Sequence, residues 1–460
     1  MWRSIGDLEE AFMSKNNTRN MTEGNVMRVL LLFTVPIFIS NLFQQLYNVV
    51  DVAVIGHVLG DRALAAVGAT TSIYGLIIGF INGMSNGFCV VIARYFGGNE
   101  QERFRKAVYL SACLAIITTL VLTVASLLFL RPLLILLHTP MDILNLSQSY
   151  ILIILLFCGI TFAYNLLSSM LRAIGNSYIP LYALVIASVL NVILDIVFVK
   201  TWNMGVRGAA FATVIAQGFS VLFLVLYIIK CCPLLHIDFS RFEMDRTILS
   251  ELLTTGFSMA MMLVLTNVGS VILQGSINSF GTATITGHTA ARKFHDLCML
   301  PLGTICTSSA TFVSQNYGAK KKERIHQGIK ASIFLGTAWS ILVLMIVLIC
   351  GSELIHALTG SNDMAVINVS MKYLYWNVPF YVVLNILLIM RNSLQALGNK
   401  ILPVAASMVE LIGKFAGAFC LSKIIGYFGI CLTEPITWAV CVPIVLGGFV
   451  KEMNKLSNIE

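Results

Sequence analysis

Charge is what this chain has little of. Only 11% of its 460 residues are Asp, Glu, Lys or Arg, whereas a soluble globular chain carries about 25%, so there is too little charge to cover a water-facing surface. Absent as well are a Walker A glycine loop and an HExxH helix, and the one serine in a G-x-S-x-G pattern, Ser85 of GMSNG, lies inside a long apolar run rather than at a strand-to-helix turn. Those absences remove ATP-driven pumping and the familiar hydrolases, and the expectation is a protein that is not an enzyme. The eleven cysteines are scattered without paired spacing in the segments between apolar runs, so no disulfide framework is expected. Cys231 and Cys232 have no histidines at zinc-finger spacing, so no metal site is expected there. The first 29 residues hold no short apolar core before a small-residue cleavage site, so no removable signal peptide is expected.

What is present is hydrocarbon. Apolar residues make up 57% of the chain, in runs long enough for the roughly 20 helical residues that cross about 30 Å of lipid. Twelve spans are predicted, at 30–56, 64–93, 107–130, 148–171, 179–200, 206–229, 250–280, 283–315, 329–350, 369–394, 402–424 and 434–450. Positive charge stays on the cytoplasmic side. With the N-terminus inside, the inner segments hold 20 Lys and Arg, with Arg172 and Arg391 counted there, and the outer loops hold five. Both termini are therefore expected in the cytoplasm of a multi-pass plasma (inner) membrane protein. The formal charge of +8 sits in short loops beside membrane helices, so anionic lipid headgroups rather than nucleic acid are its expected partner.

The chain repeats itself. ARYFGGNEQERFRKAV (Ala93 to Val108) matches SQNYGAKKKERIHQGI (Ser314 to Ile329), and LRAIGNSYIP (Leu171 to Pro180) matches LQALGNKILP (Leu394 to Pro403), both at an offset of about 220 residues. Two parallel six-helix lobes follow, an arrangement that in transporters encloses a midplane site. The expected divisions are a cytoplasmic segment 1–29, an N-lobe 30–230, a polar inter-lobe linker 231–248, a C-lobe 249–450 and a cytoplasmic tail 451–460.

Polar residues inside the spans carry the chemistry. Asn41, Gln44, Asn48 and Asp51 are spaced three, four and three apart in the first span, so they form one stripe on one helical face. A charge at membrane depth costs roughly 2.5–3.5 kcal/mol on insertion scales, so the stripe must face water or protein. The fifth span has Ser188, Asn191 and Asp195, the sixth Thr213, Gln217 and Ser220, and the fourth Tyr150, Thr161, Asn165 and Ser168. At 1.5 Å per residue, Asp51 and Asp195 each lie about 7–8 Å below the outer ends of their spans and Thr213 about 10 Å into its own. Tyr150 enters just above them. Two carboxylates, an amide, a hydroxyl and a phenol at one level offer oxygens to Na+ or, if both carboxylates cannot stay ionised, two coupled proton sites. One such aspartate is as well explained by helix packing; two at matching depth favour function.

The run NLFQQLYNVVDVAVIGHVLGDRALAAVG (Asn41 to Gly68), ARYFGG, LRAIGNSYIP, NVILD (Asn191 to Asp195) and GVRGAAFAT (Gly205 to Thr213) together resemble prokaryotic members of the MATE family of multidrug and toxic compound extrusion transporters, from Met21 onward. The resemblance implies an all-α, V-shaped pair of six-helix bundles that exchanges drug for Na+ or H+ by rocking between inward-open and outward-open states. It implies a cation site at Asp51, Asn191, Asp195 and Thr213, with Tyr150 beside it, and substrate contact at Gln44 and Asn165. Asn41, Asn48 and Ser168 complete the expected substrate cavity. The expected cargo is amphipathic, cationic drugs or dyes, with no cofactor beyond the coupling ion, and the protein is expected to act as a monomer in the lipid bilayer.

One departure matters. Some members carry acidic residues in the seventh and tenth spans, and here TTGFSMAMMLVLTNVG and VPFYVVLNILLIM have none. The C-lobe carries Arg292, His295 and Asp296 in the eighth span and Glu410 and Lys414 in the eleventh, where Arg292 with Asp296 and Glu410 with Lys414 are i,i+4 pairs. They are expected to neutralise one another, with substrate contact or switching as the alternative. The rival function, a flippase of lipid-linked precursors, predicts several Arg or Lys in the N-lobe cavity to hold pyrophosphate.

Overall fold

Every regular element in the computed structural model, which describes residues 20–137, 139–236, 244–360 and 363–457, is helical. Helix α1 (Val26–Leu59) starts where the Asn25 side chain accepts the Arg28 amide at 3.1 Å, a standard N-cap. It passes to α2 (Asp61–Gly97) through Gly60, whose φ of +79° a side chain would strain. Helices α3 (Gln101–Leu136), α4 (Met141–Leu156), α5 (Cys158–Ala173), α6 (Tyr178–Asp195) and α7 (Val206–Cys231) complete the first half. The second half is α8 (Arg246–Ile277), α9 (Thr282–Gly318), α10 (Lys322–Thr359), α11 (Met364–Asn377), α12 (Tyr381–Ala396), α13 (Ile401–Ala416), α14 (Ser422–Ile425) and α15 (Tyr427–Ser457). Among the described residues, eleven helical rods are long and apolar enough to cross a membrane, and α4 with α5, bent by 46° at Phe157, makes the twelfth span.

Each predicted span lies inside one of these rods, and the rods run longer. The third continues through Pro132 to Leu136 and the ninth to Thr359, so the helices extend beyond the residues that the apolar runs mark. At 34 residues α1 measures about 51 Å, well over the thickness of the hydrocarbon. The expected linker falls partly on residues 237–243, and most of the expected N-terminal segment on residues 1–19, all outside the described residues.

Packing follows the repeat. One large buried cluster runs from Ile81 to Ala260 along the chain and another from Ala290 to Met453. The first includes Ile248, Leu252 and Ala260 of α8, because α2 and α8 touch backbone to backbone: a Cβ on Gly83 would stand 2.3 Å from the Ala260 Cα, and one on Gly87 2.5 Å from the Gly256 Cα.

The halves are tied most heavily at the end that bears the basic loops. Arg94 pairs with Glu251 and donates to the Ala396 carbonyl at 3.0 Å, while Tyr95 donates to Glu251 at 2.5 Å. The Gln315 amide donates to the Ala173 carbonyl at 2.8 Å and accepts the Met21 amide at 2.9 Å, and Arg324 donates to the Gly24 carbonyl at 2.8 Å. There is no room in this seal. A Cβ on Gly97 would stand 2.0 Å from the Gln315 carbonyl oxygen, and one on Gly318 1.9 Å from that of Arg94. Gly318→Val should therefore force the seal apart. Cys89, buried and 3.9 Å from Thr311 across the interface, is a built-in reporter: its maleimide labelling, read by mass spectrometry, should rise roughly tenfold, a bias of about 1.4 kcal/mol towards the open form. Unchanged labelling of Cys89 would show that the seal tolerates the side chain.

Candidate cation and substrate site

The polar stripe of α1 divides: Asp51 and Gln44 face α6 and α7, while Asn41 donates to the Thr304 hydroxyl of α9 at 3.0 Å. Asp195, at 0% exposure, and Asn191, at 2%, lie on α6, and the half-buried Asp51 lies on α1. The Thr213 hydroxyl on α7 donates to the Ala209 carbonyl at 3.1 Å and reaches Asp51 Oδ2 at 3.4 Å. The Asp51 and Asp195 carboxyls are neighbours within hydrogen-bonding reach, and Tyr74 and Tyr150 stand close enough to feel the Asp51 charge. Directly after Asp195 the helix widens into a π-turn, Ile196–Thr201, a feature often found at functional sites.

What distinguishes this cluster is how many of its buried polar atoms are unpaired. Asp51 Oδ1, both oxygens of Asp195, and both amide atoms of Asn191 are buried without a hydrogen-bond partner among the described residues. A buried polar group left unpaired costs about 1–3 kcal/mol, and more if charged. Two facing carboxylates have only acceptors, so a proton between them or a cation among them is what satisfies the group.

Below it lie two cavities that share the walls Gln44, Tyr164 and Leu184. The smaller, about 20 Å³, reaches Asn191 and Thr213. The larger, about 290 Å³, is lined by Asn41, Gln44, Asn165 and Ser168 of the expected set. Asn48 is exposed and lines neither. Asn82, Asn86 and Arg172 are among the liners that were not anticipated. Asn82 and Asn86 sit one turn apart on α2, a spacing legible in the sequence. Arg172, counted above with the inner loops, is on α5 and lines the larger cavity.

The second half holds a different cluster. Both expected pairs form: Arg292 stands 3.8 Å from Asp296, and Lys414, 2% exposed, stands 3.2 Å from Glu410. They are parts of a larger network centred on Glu434 of α15. Arg292 donates to both Glu434 oxygens at 3.0 and 3.1 Å, the Tyr373 hydroxyl donates at 2.5 Å, and Lys414 lies 3.6 Å away. Arg391, also counted above as a loop residue, is buried in α12 and pairs with Glu410 at 3.2 Å. Glu434 escaped notice because it begins the last apolar run, where an end-of-span charge reads as a solvated one. The repeat extends here too: Leu171 matching Leu394 sets an offset of 223 residues, which carries Asn191 onto Lys414, and a second π-turn, Gly417–Leu421, follows Lys414 closely as the first follows Asp195.

A twelve-span helical bundle with unpaired buried carboxylates beside a polar cavity is the architecture of a membrane transporter. The MatE family model matches residues 36–197 and 247–420, and the chain belongs to that family of multidrug efflux transporters. It is similar to the probable multidrug resistance protein YpnP of Bacillus subtilis (strain 168), 26% identical over 85% of this chain and 87% of that protein. It is also similar to the multidrug export protein MepA of Staphylococcus aureus (strain MRSA252), 20% identical over 90% and 92%. In fold it matches an outward-facing multidrug resistance MATE family transporter of the MOP superfamily, with a TM-score of 0.88 at 21% identity over 96% and 98% of the two chains. A crystal structure of MATE in the bent conformation matches with a TM-score of 0.87 at 20% identity over 95% and 97%.

Proposed function

We propose that the protein is a secondary antiporter of the plasma membrane, exporting amphipathic organic compounds through the larger cavity in exchange for a monovalent cation taken at Asp51, Asn191, Asp195 and Thr213. The observation that carries this is the group of buried, unpaired carboxyl and amide atoms beside a cavity that Asn191 and Thr213 line. Its lobes are 30–230 and 249–450, joined at 231–248, with both termini cytoplasmic, and it works as a monomer. The sealed end bearing Arg94 is then the cytoplasmic one, and the cavity opens outward.

Gln44 and Tyr164 line both cavities, so an ion entering from outside changes the wall that cargo touches. Exchange needs ion and cargo to favour different states or to compete, since a ligand that binds both states equally shifts nothing. Na+ suits the site better than a proton, because the Asn191 carbonyl and the Thr213 hydroxyl add neutral oxygens that a proton does not require. A flippase of lipid-linked precursors is less well supported: the larger cavity offers one basic side chain, Arg172, where pyrophosphate calls for several.

Two measurements decide the ion. Purified protein in vesicles should drive dye efflux under an imposed Na+ gradient at constant pH. Dye binding to detergent-purified protein should weaken severalfold as Na+ replaces K+ at fixed ionic strength. If Na+ does no more than K+ and only pH alters affinity, the carboxylates form a proton relay.

A further inference from the structure

Arg172 is the only formally charged side chain lining the larger cavity, of about 290 Å³. Its one hydrogen bond among the described residues is to the Ser169 hydroxyl, at 3.2 Å, on its own helix. Arg292 and Lys414 have Glu434, Arg391 has Glu410, and Arg94 has Glu251, whereas Arg172 has no carboxylate within 4 Å among the described residues. The fold does not require a guanidinium here either. The 223-residue repeat puts Gln395 at the corresponding place in the second half, where it is buried and donates to the Ser258 hydroxyl at 2.8 Å. The rest of the wall is neutral and rich in amides, with Asn41, Asn82, Asn86 and Asn165, and has one aromatic face in Tyr164. The volume of about 290 Å³ stands at the lower end of the range of ligand pockets, about 300–1,000 Å³.

We infer that this cavity selects amphipathic organic anions, compounds with an aromatic body and a carboxylate, sulfonate or phosphate group that pairs with Arg172. The inference rests on the reading of the cavity as the cargo path and replaces the cationic cargo expected from the sequence. A carboxylate or phosphate takes two parallel hydrogen bonds from a guanidinium, which an organic cation cannot. A cation would meet like charge at Arg172 with no acidic side chain in this wall to offset it.

Two xanthene dyes of similar size and opposite charge provide the test: fluorescein, an anion at mildly alkaline pH, and tetramethylrhodamine methyl ester, a cation. Equilibrium binding to the purified full-length protein, without any ion gradient, should favour fluorescein at least tenfold. Arg172→Gln should remove that preference while leaving the rhodamine ester unchanged or tighter, and Arg172→Lys should keep part of it. A naphthalene sulfonate should displace bound fluorescein and short-chain phosphatidylglycerol should not; displacement by the lipid alone overturns the cargo class. Wild-type protein that fails to bind fluorescein, whatever it does with the rhodamine ester, overturns the inference. So does an Arg172→Gln variant that elutes as a monodisperse protein and weakens both dyes equally. Because binding is read without a gradient, these outcomes are independent of whether export is driven by Na+, by protons or by neither.

Discussion

Asp51→Asn should reduce ion-driven dye export to the level of protein-free vesicles while the protein accumulates normally and melts at the same temperature or higher. The reason lies in the two neighbouring carboxyls. An amide at position 51 places an N–H beside Asp195, whose two oxygens are buried without a partner, and a hydrogen bond to a charged group contributes about 1.5–3 kcal/mol. The variant thus supplies permanently what the exchangeable cation supplies transiently. Stabilisation and loss of function should appear together, as they do where an active site is held in an unfavourable state. Asp195→Asn should behave alike. The double variant should export no worse than either single one, because the two carboxyls act as a unit. Efflux at the wild-type rate from an equally abundant Asp51→Asn protein would sink the assignment.

Glu434→Gln should be the most destabilising single change in the second half, by about 3–5 kcal/mol, the usual cost of stranding a buried charge. Charge counting gives the direction. Arg292, Arg391 and Lys414 face Glu410 and Glu434, with Asp296 at the exposed rim. Glu434→Gln leaves three cations against one buried carboxylate and turns one of the two oxygens that Arg292 and Tyr373 share into an N–H donor. Removing Lys414 instead leaves two matched pairs, Arg292 with Glu434 and Arg391 with Glu410, so Lys414→Met should cost less than half as much. Adding Lys414→Met to Glu434→Gln should restore part of the loss. Melting followed by size-exclusion fluorescence reads all three variants, and a Lys414→Met protein less stable than Glu434→Gln would contradict the accounting.

The spans, the repeat and the first-half site were legible for one physical reason: lipid makes every polar residue in a span informative. The Asn41 to Asp51 stripe and the pair Asn191 and Asp195 stand out because hydrocarbon is an intolerable neighbour for them. The same logic failed at the ends of runs. Arg172, Arg391 and Glu434 lie where an apolar window tapers, and a charge there reads as solvated until helix packing shows what covers it. Asn48 failed for the opposite reason: helical periodicity places it on the stripe, but only the partner helices decide how far a cavity extends along it. Glu410 and Lys414 were recognisable as a pair from their spacing. That Glu434 joins them from α15 depends on tertiary contact, which no local pattern contains.

The register between Asn191 and Lys414 bears on how a duplicated scaffold divides its labour. At matching places before matching π-turns, one half has an uncharged amide beside two carboxylates without a counter-ion, and the other an ammonium between two carboxylates that already have theirs. An ammonium on a covalent tether cannot be released to either compartment. Under the proposed exchange the second half therefore keeps one ionic composition through every turnover, and only the first exists in a loaded and an unloaded form. Duplication supplied two similar bundles. A difference at one register position is enough to make one of them the responsive element and the other the fixed reference against which it moves.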